Sequence, residues 1–346
     1  MSLTRSIGLG AIAWITVITL LHGWLNLRWF EPRSSLEKFK VGFIPVTCHL
    51  TCPVTDFINK STKGENFFEP MRFSGFPELK ETFLAGDMPA TFILAPLAIA
   101  LREQGVPIKI VYLGHRDGTA MMVHKDSSIR RIEDLRGKRI AIPNRFSNQR
   151  LLIFKALKDR GIPFNEVELL EMPPPDMPAA LYSKSVDAIT AGEPYMGQTE
   201  MDGYGRVLYL TKDVWPNFIS CVLAVNENSI KTNRAQVQML VDGIARSGKW
   251  LDSNSSNRME AATFVGELYY NQSPELMRFV LSKPPDRVKY TNLKPLQKEF
   301  EEIERLGKDS GILTGTSGFA DYVDDSFVQE ESSIQPHDYG ASKISK

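Results

Sequence analysis

Cys48, His49 and Cys52 fall within five positions, in the run Pro45-Val-Thr-Cys-His-Leu-Thr-Cys-Pro53. They account for two of the chain's three cysteines and one of its five histidines. Thiolate and imidazole together suit a soft ion such as Zn or Cu(I). Two thiols in an oxidising compartment can instead close a disulfide. As small, weakly polar groups they can also simply line a pocket. On a helix, positions four apart share a face, so all three readings stay open. The spacing is not that of a standard zinc pair. A fourth ligand would come from elsewhere, with His115 and Cys221 as candidates. Cys221 sits in an apolar run and also reads as an inert buried thiol.

Other residues have chemistry suited to a small solute. Arg116 carries a guanidinium that can grip an oxyanion with two hydrogen bonds, or pair with an acid such as Asp117. His115 can bond a ligand or a metal, or be a satisfied core histidine. Ser147 and Asn148 precede an apolar helical run, where free N–H groups can hold an anion or merely be capped. Glu193 is an acceptor for a cationic or hydroxyl-bearing ligand, or a hinge contact. Phe92, Phe146, Tyr195 and Trp215 can wall a pocket or fill a core.

The elements that must position these groups follow an alternating pattern. Val41–Ile44, Ala90–Leu94 and Ile108–Leu113 read as strands, and 77–84 and 95–104 as helices. Strands alternating with helices argue for a mainly parallel sheet. The pattern then restarts: Lys138-Arg-Ile-Ala-Ile-Pro143 mirrors Lys40-Val-Gly-Phe-Ile-Pro45. Two related α/β lobes follow from this, with a site at the strand ends between them. From Arg234 onward the chain reads as mostly helical. Residues 331–346 are polar and read as a disordered tail.

The chain of 346 residues has ordinary globular composition, 42% hydrophobic and 24% charged. Its net charge of +0 provides no electrostatic footprint for nucleic acid. Phosphate-loop, His-Glu-x-x-His and Gly-x-Ser-x-Gly motifs are absent from the sequence; that does not exclude catalysis, but nothing in the sequence requires it, and a protein that is not an enzyme is expected. Residues 1–30 stand apart. No charge occurs from Ser6 to Leu27, between Arg5 and Arg28. As a helix this stretch would be about 33 Å long, enough to cross a bilayer. Trp14, Trp24 and Trp29 are interfacial anchors. No Ala-x-Ala-like cleavage site follows, so an uncleaved membrane anchor is expected, with a cleaved signal as the alternative.

The order of motifs resembles the substrate-binding proteins of nitrate, sulfonate/taurine and bicarbonate ABC transporters. The resemblance runs from Val41-Gly-Phe-Ile-Pro-Val-Thr47 through Phe83-Leu-Ala-Gly-Asp-Met-Pro-Ala-Thr-Phe-Ile-Leu-Ala-Pro96 and Ile132-Glu-Asp-Leu-Arg-Gly-Lys-Arg-Ile-Ala-Ile-Pro143. It continues through Phe146-Ser-Asn148, Val186-Asp-Ala-Ile189, Gly192-Glu-Pro-Tyr195, Trp215-Pro216 and Cys221-Val-Leu-Ala-Val225. It implies an α/β, two-lobed type II periplasmic binding protein fold with two crossover strands, preceded by one N-terminal transmembrane helix. Lobe 1 would be 39–125 plus 226–330 and lobe 2 would be 126–225, with crossovers near 120–125 and 220–225.

The resemblance further implies a periplasmic body facing an ABC transporter permease, the N-terminus in the cytoplasm, and a small, anionic solute captured by lobe closure. A soluble periplasmic protein is the outcome if the N-terminal segment is cleaved. Thr47, Cys48, His49, Phe92, His115, Arg116, Phe146, Ser147, Asn148, Glu193, Tyr195 and Trp215 would contact the solute, with Cys48, His49 and Cys52 as the possible metal set. Cys48 stands where nitrate- and bicarbonate-binding relatives usually have an acidic residue, so those ligands do not transfer directly. Two other functions remain: an enzyme on the same fold related to thiamine-pyrimidine synthesis, and a metal- or redox-responsive binding protein.

Overall fold

The computed structural model describes residues 12–22, 38–62, 67–337 and 339. Two compact units are present, residues 1–38 and residues 39–346. In the first, residues 12–22 form a helix with exposed Ile12, Trp14, Ile15, Val17, Ile18, Leu20 and Leu21. Among the described residues no helix is long and apolar enough to cross a membrane. The transmembrane helix expected over 6–27 is therefore not seen as such: half of that stretch, 6–11 and 23–27, lies outside the described residues.

The second unit carries two five-stranded sheets. The first contains β1 (Phe39–Phe43), β2 (Phe68–Arg72), β3 (Ala90–Leu94) and β4 (Ile108–Leu113), with helices α1 (Thr51–Ser61), α2 (Phe76–Leu84) and α3 (Ala95–Glu103) between them. The short β5 (Arg116–Asp117) leads into β6 (Thr119–His124) of the second sheet. That sheet continues with β7 (Arg139–Ile142), β8 (Glu168–Glu171), β9 (Ala188–Gly192) and β10 (Gly205–Leu210), around α4 (Asn148–Lys158), α5 (Met177–Tyr182) and α6 (Tyr195–Met201). β11 (Cys221–Asn226) then returns to the first sheet. The core strands are continuous apolar runs, and Ala90–Leu94 and Ala188–Gly192 are buried along their full length. This is what strands covered by helices on both faces require.

Strand order is β2-β1-β3-β11-β4 in the first sheet and β10-β6-β9-β7-β8 in the second. In each sheet one strand from the crossover runs antiparallel to its neighbours, β11 beside β3 and β4, β6 beside β9 and β10. The expected lobe boundaries shift accordingly. Residues 119–124 belong to the second sheet, not to lobe 1, and 221–225 belong to the first sheet, not to lobe 2. Asp117 and Gly118, with φ values of 65° and 61°, turn the chain just before β6. The chain thus changes lobes over 114–118 and 211–220, a few residues ahead of each apolar run.

The C-terminal helices α7 (Arg234–Ser253), α8 (Ser255–Val265), α9 (Pro274–Ser282) and α10 (Gln297–Asp309) pack around the first sheet's end of the molecule, with β12 (Val288–Lys289) pairing β5. The tail departs from the expected disorder at residues 331–337 and 339. Ile334, His337 and Tyr339 are buried, and Tyr339 meets Trp250 and Phe57 edge-on. Three spaced anchors hold a segment whose average composition is polar. Residues 338 and 340–346 lie outside the described residues.

Candidate functional site

The loop after β1 bends into a 3-10 turn at Thr47–His49 before α1 begins at Thr51. It lies at the C-terminal edge of the first sheet. Cys221 opens β11 directly opposite Leu94, the last residue of β3, at that same edge. Antiparallel return of β11 therefore brings Cys221 beside Cys48 across 173 positions of sequence. Their Sγ atoms are 3.0 Å apart. Gly114 makes the approach possible. Its N–H donates to the Cys221 carbonyl at 2.9 Å. A Cβ at this position would stand 2.2 Å from the Cys48 carbonyl oxygen and 3.1 Å from that of Cys221.

Cys48, His49 and Cys221 bring their ligand atoms within 4.8 Å of one another, all buried. Cys52 is not part of this cluster. Cys48 lies in the 3-10 turn and Cys52 in the first turn of α1, so the shared helical face expected from their spacing does not form. All three cysteines are free thiols in this structure, so of the open readings the Cys48–Cys52 disulfide is the one not seen here. Phe92 packs on His49 with ring centroids 5.2 Å apart. His49 Nδ1 is held at the Ile44 backbone, 2.8 Å from the amide nitrogen and 3.1 Å from the carbonyl oxygen.

Burial pushes the Cys48 thiol well up, and the neighbouring Cys221 sulfur adds to that. For Cys221 burial acts in the same direction, but the hydrogen bond with Cys48 and the His49 ring outweigh it and draw the thiol down. Cys221 is thus the more acidic of the pair. His115 is fully buried, and burial with His49 nearby pulls its imidazole down to about 3. It is a neutral ring with neither nitrogen hydrogen-bonded, so the expectation of a satisfied core histidine does not describe it.

The second sheet closes over this edge. The Thr47 N–H donates to the Glu193 carbonyl at 2.6 Å. The Tyr270 and Tyr290 hydroxyls donate to the carbonyls of Val46 at 2.7 Å and Thr47 at 3.1 Å. Ser147 caps α4 by accepting from the Arg150 N–H, while Asn148 donates its amide to the Ile219 carbonyl. Gln149 donates to Ser220 Oγ at 3.1 Å. Several buried polar atoms here have no hydrogen-bond partner: Thr47 Oγ1, His49 Nε2, both His115 nitrogens, Asn148 Oδ1 and Gln149 Oε1. Native interiors satisfy such groups through protein or ordered water, so these atoms are free to bond water or a small molecule.

The remaining expected residues sit elsewhere. Arg116 is clasped by Glu299 at 2.7 and 3.0 Å and also donates to the carbonyls of Asn292 and Asn217. It lines a separate cavity of about 470 Å³ with Lys289, Lys294 and Glu299. Its acid partner is Glu299, not Asp117, whose carboxylate pairs with Lys289 at 3.2 Å. Glu193 is not free either. Arg287 binds its Oε1, and the Gly197 N–H donates to its Oε2 at 2.7 Å. Glu193 is therefore a contact between the lobes and not an open acceptor. Burial raises its pKa against the pull of Arg287. Phe146 lines a shallow cavity of about 550 Å³ with Arg145, Arg150 and Phe164. Tyr195 is buried at the start of α6, and Trp215 packs edge-on against Phe218.

Sequence reasoning missed Ser220, Gln149, Arg287, Tyr270 and Tyr290. For Gln149 the signal was present, one residue beyond the Ser147-Asn148 pair at the same helix start. For Arg287 and the tyrosines nothing local marks them, since their partners lie more than 90 positions away in sequence.

Comparison with known proteins agrees with this architecture. Residues 33–266 match the model of the NMT1-like family. The nitrate/nitrite binding protein NrtA of Nostoc sp. PCC 7120 is 23% identical over 261 residues, covering 69% of this chain and 59% of that protein. The ligand binding component of an ABC-type import system from Staphylococcus aureus, solved with zinc bound, superposes with a TM-score of 0.76 at 22% identity, covering 86% of this chain and 99% of that one. The alkanesulfonate-binding protein SsuA from Xanthomonas axonopodis pv. citri, solved bound to MOPS, does so with a TM-score of 0.70 at 16% identity, over 84% and 99% of the two chains. These superpositions show the periplasmic binding protein fold.

Proposed function

The chain belongs to the NMT1-like family, and from that premise we propose that it is the solute-binding component of an ABC importer, which takes up a small oxyanion of the nitrate or sulfonate kind between its two lobes and delivers it to a permease. The observation that carries this reading is the set of unpartnered buried polar atoms at the junction of the two sheets, contributed by both of them. The reading is of a binder that closes and opens, with no bond made or broken. The relatives' solutes are compatible with the chemistry present. Asn148 and Gln149 open α4, and the first N–H groups of a helix have no intrahelical acceptor. The Thr47 hydroxyl, one N–H of the neutral His115 ring and the backbone N–H groups at the start of α4 can donate to an oxyanion, while the free side-chain oxygens of Asn148 and Gln149 can only accept, from a hydroxyl or N–H of the solute.

The test is thermal denaturation of refolded, solute-free protein against nitrate, nitrite, bicarbonate, taurine and short alkanesulfonates. A solute held at 100 times its Kd adds about 2.7 kcal/mol of stability, so one class is expected to raise Tm by several degrees. No shift with any of them would sink the reading.

We further infer that the apolar N-terminal stretch holds the protein at the periplasmic side of the inner membrane. Its support is the uncharged run from Ser6 to Leu27 and the bare apolar surface of the helix over 12–22. Tethering would raise the local concentration at the permease. Alkaline washing of membranes checks this: the full-length chain is expected to stay in the pellet, and release into the wash would overturn the anchor.

A further inference from the structure

Arg116 and Arg287, the two arginines among the described buried residues, are each held by a carboxylate. A different set of groups at the junction is left open. We propose that Cys48, His49 and Cys221 form a binding site for a soft divalent metal ion of the zinc class, with a fourth coordination position open toward the lobe junction.

The donor chemistry is the first support. Two sulfurs and an imidazole match the S/N sets that zinc prefers, and a three-ligand site leaves one position for another molecule. Charge is the second. Loading displaces both thiol protons, and two thiolates with a neutral imidazole cancel a 2+ ion. A net charge at a fully buried site is costly, and this combination has none. A monovalent ion would leave one negative charge or retain one proton.

Geometry is the third support. Ligand atoms about 2.0–2.3 Å from a tetrahedral ion stand roughly 3.5–3.8 Å from one another. The cluster already lies within 4.8 Å. The sulfur pair, at 3.0 Å, must open by roughly 1 Å, within reach of small side-chain rotations. His49 is oriented for the task. The Ile44 N–H donates to Nδ1 at 2.8 Å, which puts the ring proton on Nε2 in the metal-free protein; ligation through Nε2 moves that proton to Nδ1, where the Ile44 carbonyl at 3.1 Å accepts it. A ligating histidine is usually fixed by a bond of this kind from its other nitrogen. Buried Nε2 makes no well-formed hydrogen bond and the His49 ring interacts with the Cys221 thiol, so the imidazole already addresses the sulfur it would share a metal with.

The inference deepens the solute-binding reading only in facing the open position to the solute, and it is tested with no solute present. Reduced, chelator-treated full-length protein is titrated with Co(II) and then with Zn(II). One equivalent of cobalt is expected to give a thiolate-to-metal charge-transfer band and the intense visible bands of a four-coordinate ion, both erased by zinc. Cys48→Ser and Cys221→Ser are expected to lose the charge-transfer intensity and to weaken zinc binding at least roughly tenfold, with unchanged circular dichroism. His49→Gln should shift the visible bands, and Cys52→Ser should leave the spectrum intact.

Absence of the band in the reduced wild type would overturn the site. So would its survival in Cys221→Ser with loss in Cys52→Ser. A Cys48–Cys221 disulfide that resists reduction, read from intact mass, would overturn it too. Solute-induced stabilisation without a cobalt band would retain the binding reading and reject the metal site alone.

Discussion

At the scale of single residues, the junction separates groups that build it from groups left for a ligand. Glu193 and Arg287 build it. Both side chains are buried, at 0% and 2% exposure, and their bond ties the second sheet's edge to the C-terminal helical region. Removing one partner of such a pair strands a buried charge and costs about 3–5 kcal/mol. Arg287→Met is therefore expected to lower unfolding free energy by about that amount in urea denaturation, and Glu193→Leu/Arg287→Met to recover most of it. A single variant as stable as the wild type would show that the pair does not hold the lobes. Neither partner is legible as such in the sequence, because a carboxylate 94 positions from its guanidinium carries no local mark. Cys48 and His49 were legible from their types and spacing. The choice of Cys221 over Cys52 was not, since it depends on β11 returning antiparallel beside β3.

At the scale of elements, apolar runs between turn signals located the strands. Ala90–Leu94 and Ile108–Leu113 stand where the sequence places them. Such runs are buried whichever sheet they join, so burial pattern alone does not assign them to a lobe. This is why 119–124 and 221–225 changed sides. The turn before β6, a positive φ at Asp117 followed by Gly118, occupies two residues and is masked by the charged His115-Arg116-Asp117 run. The C-terminal segment makes a related point. Composition averaged over sixteen residues reads as disorder, but Ile334, His337 and Tyr339 dock individually. His337 Nε2 lies 3.3 Å from the Gly243 carbonyl on α7. The 3-10 turn at 47–49 likewise broke a helical periodicity that the Cys48–Cys52 spacing assumed.

At the scale of the whole molecule, the described residues from 39 onward form two five-stranded sheets exchanging one strand each, and Thr47, His49, His115, Asn148 and Gln149 are among the residues with an unpartnered buried polar atom. On the proposed function, binding is tied to lobe closure: a solute bonded to both sheets would be held only while they are together. The bond from the Thr47 N–H to the Glu193 carbonyl joins the two lobes directly. The most direct measurement is small-angle scattering of solute-free protein before and after saturation with the solute that raises Tm. The radius of gyration is expected to fall on saturation. An unchanged radius at a solute concentration that stabilises the protein would contradict capture by lobe closure.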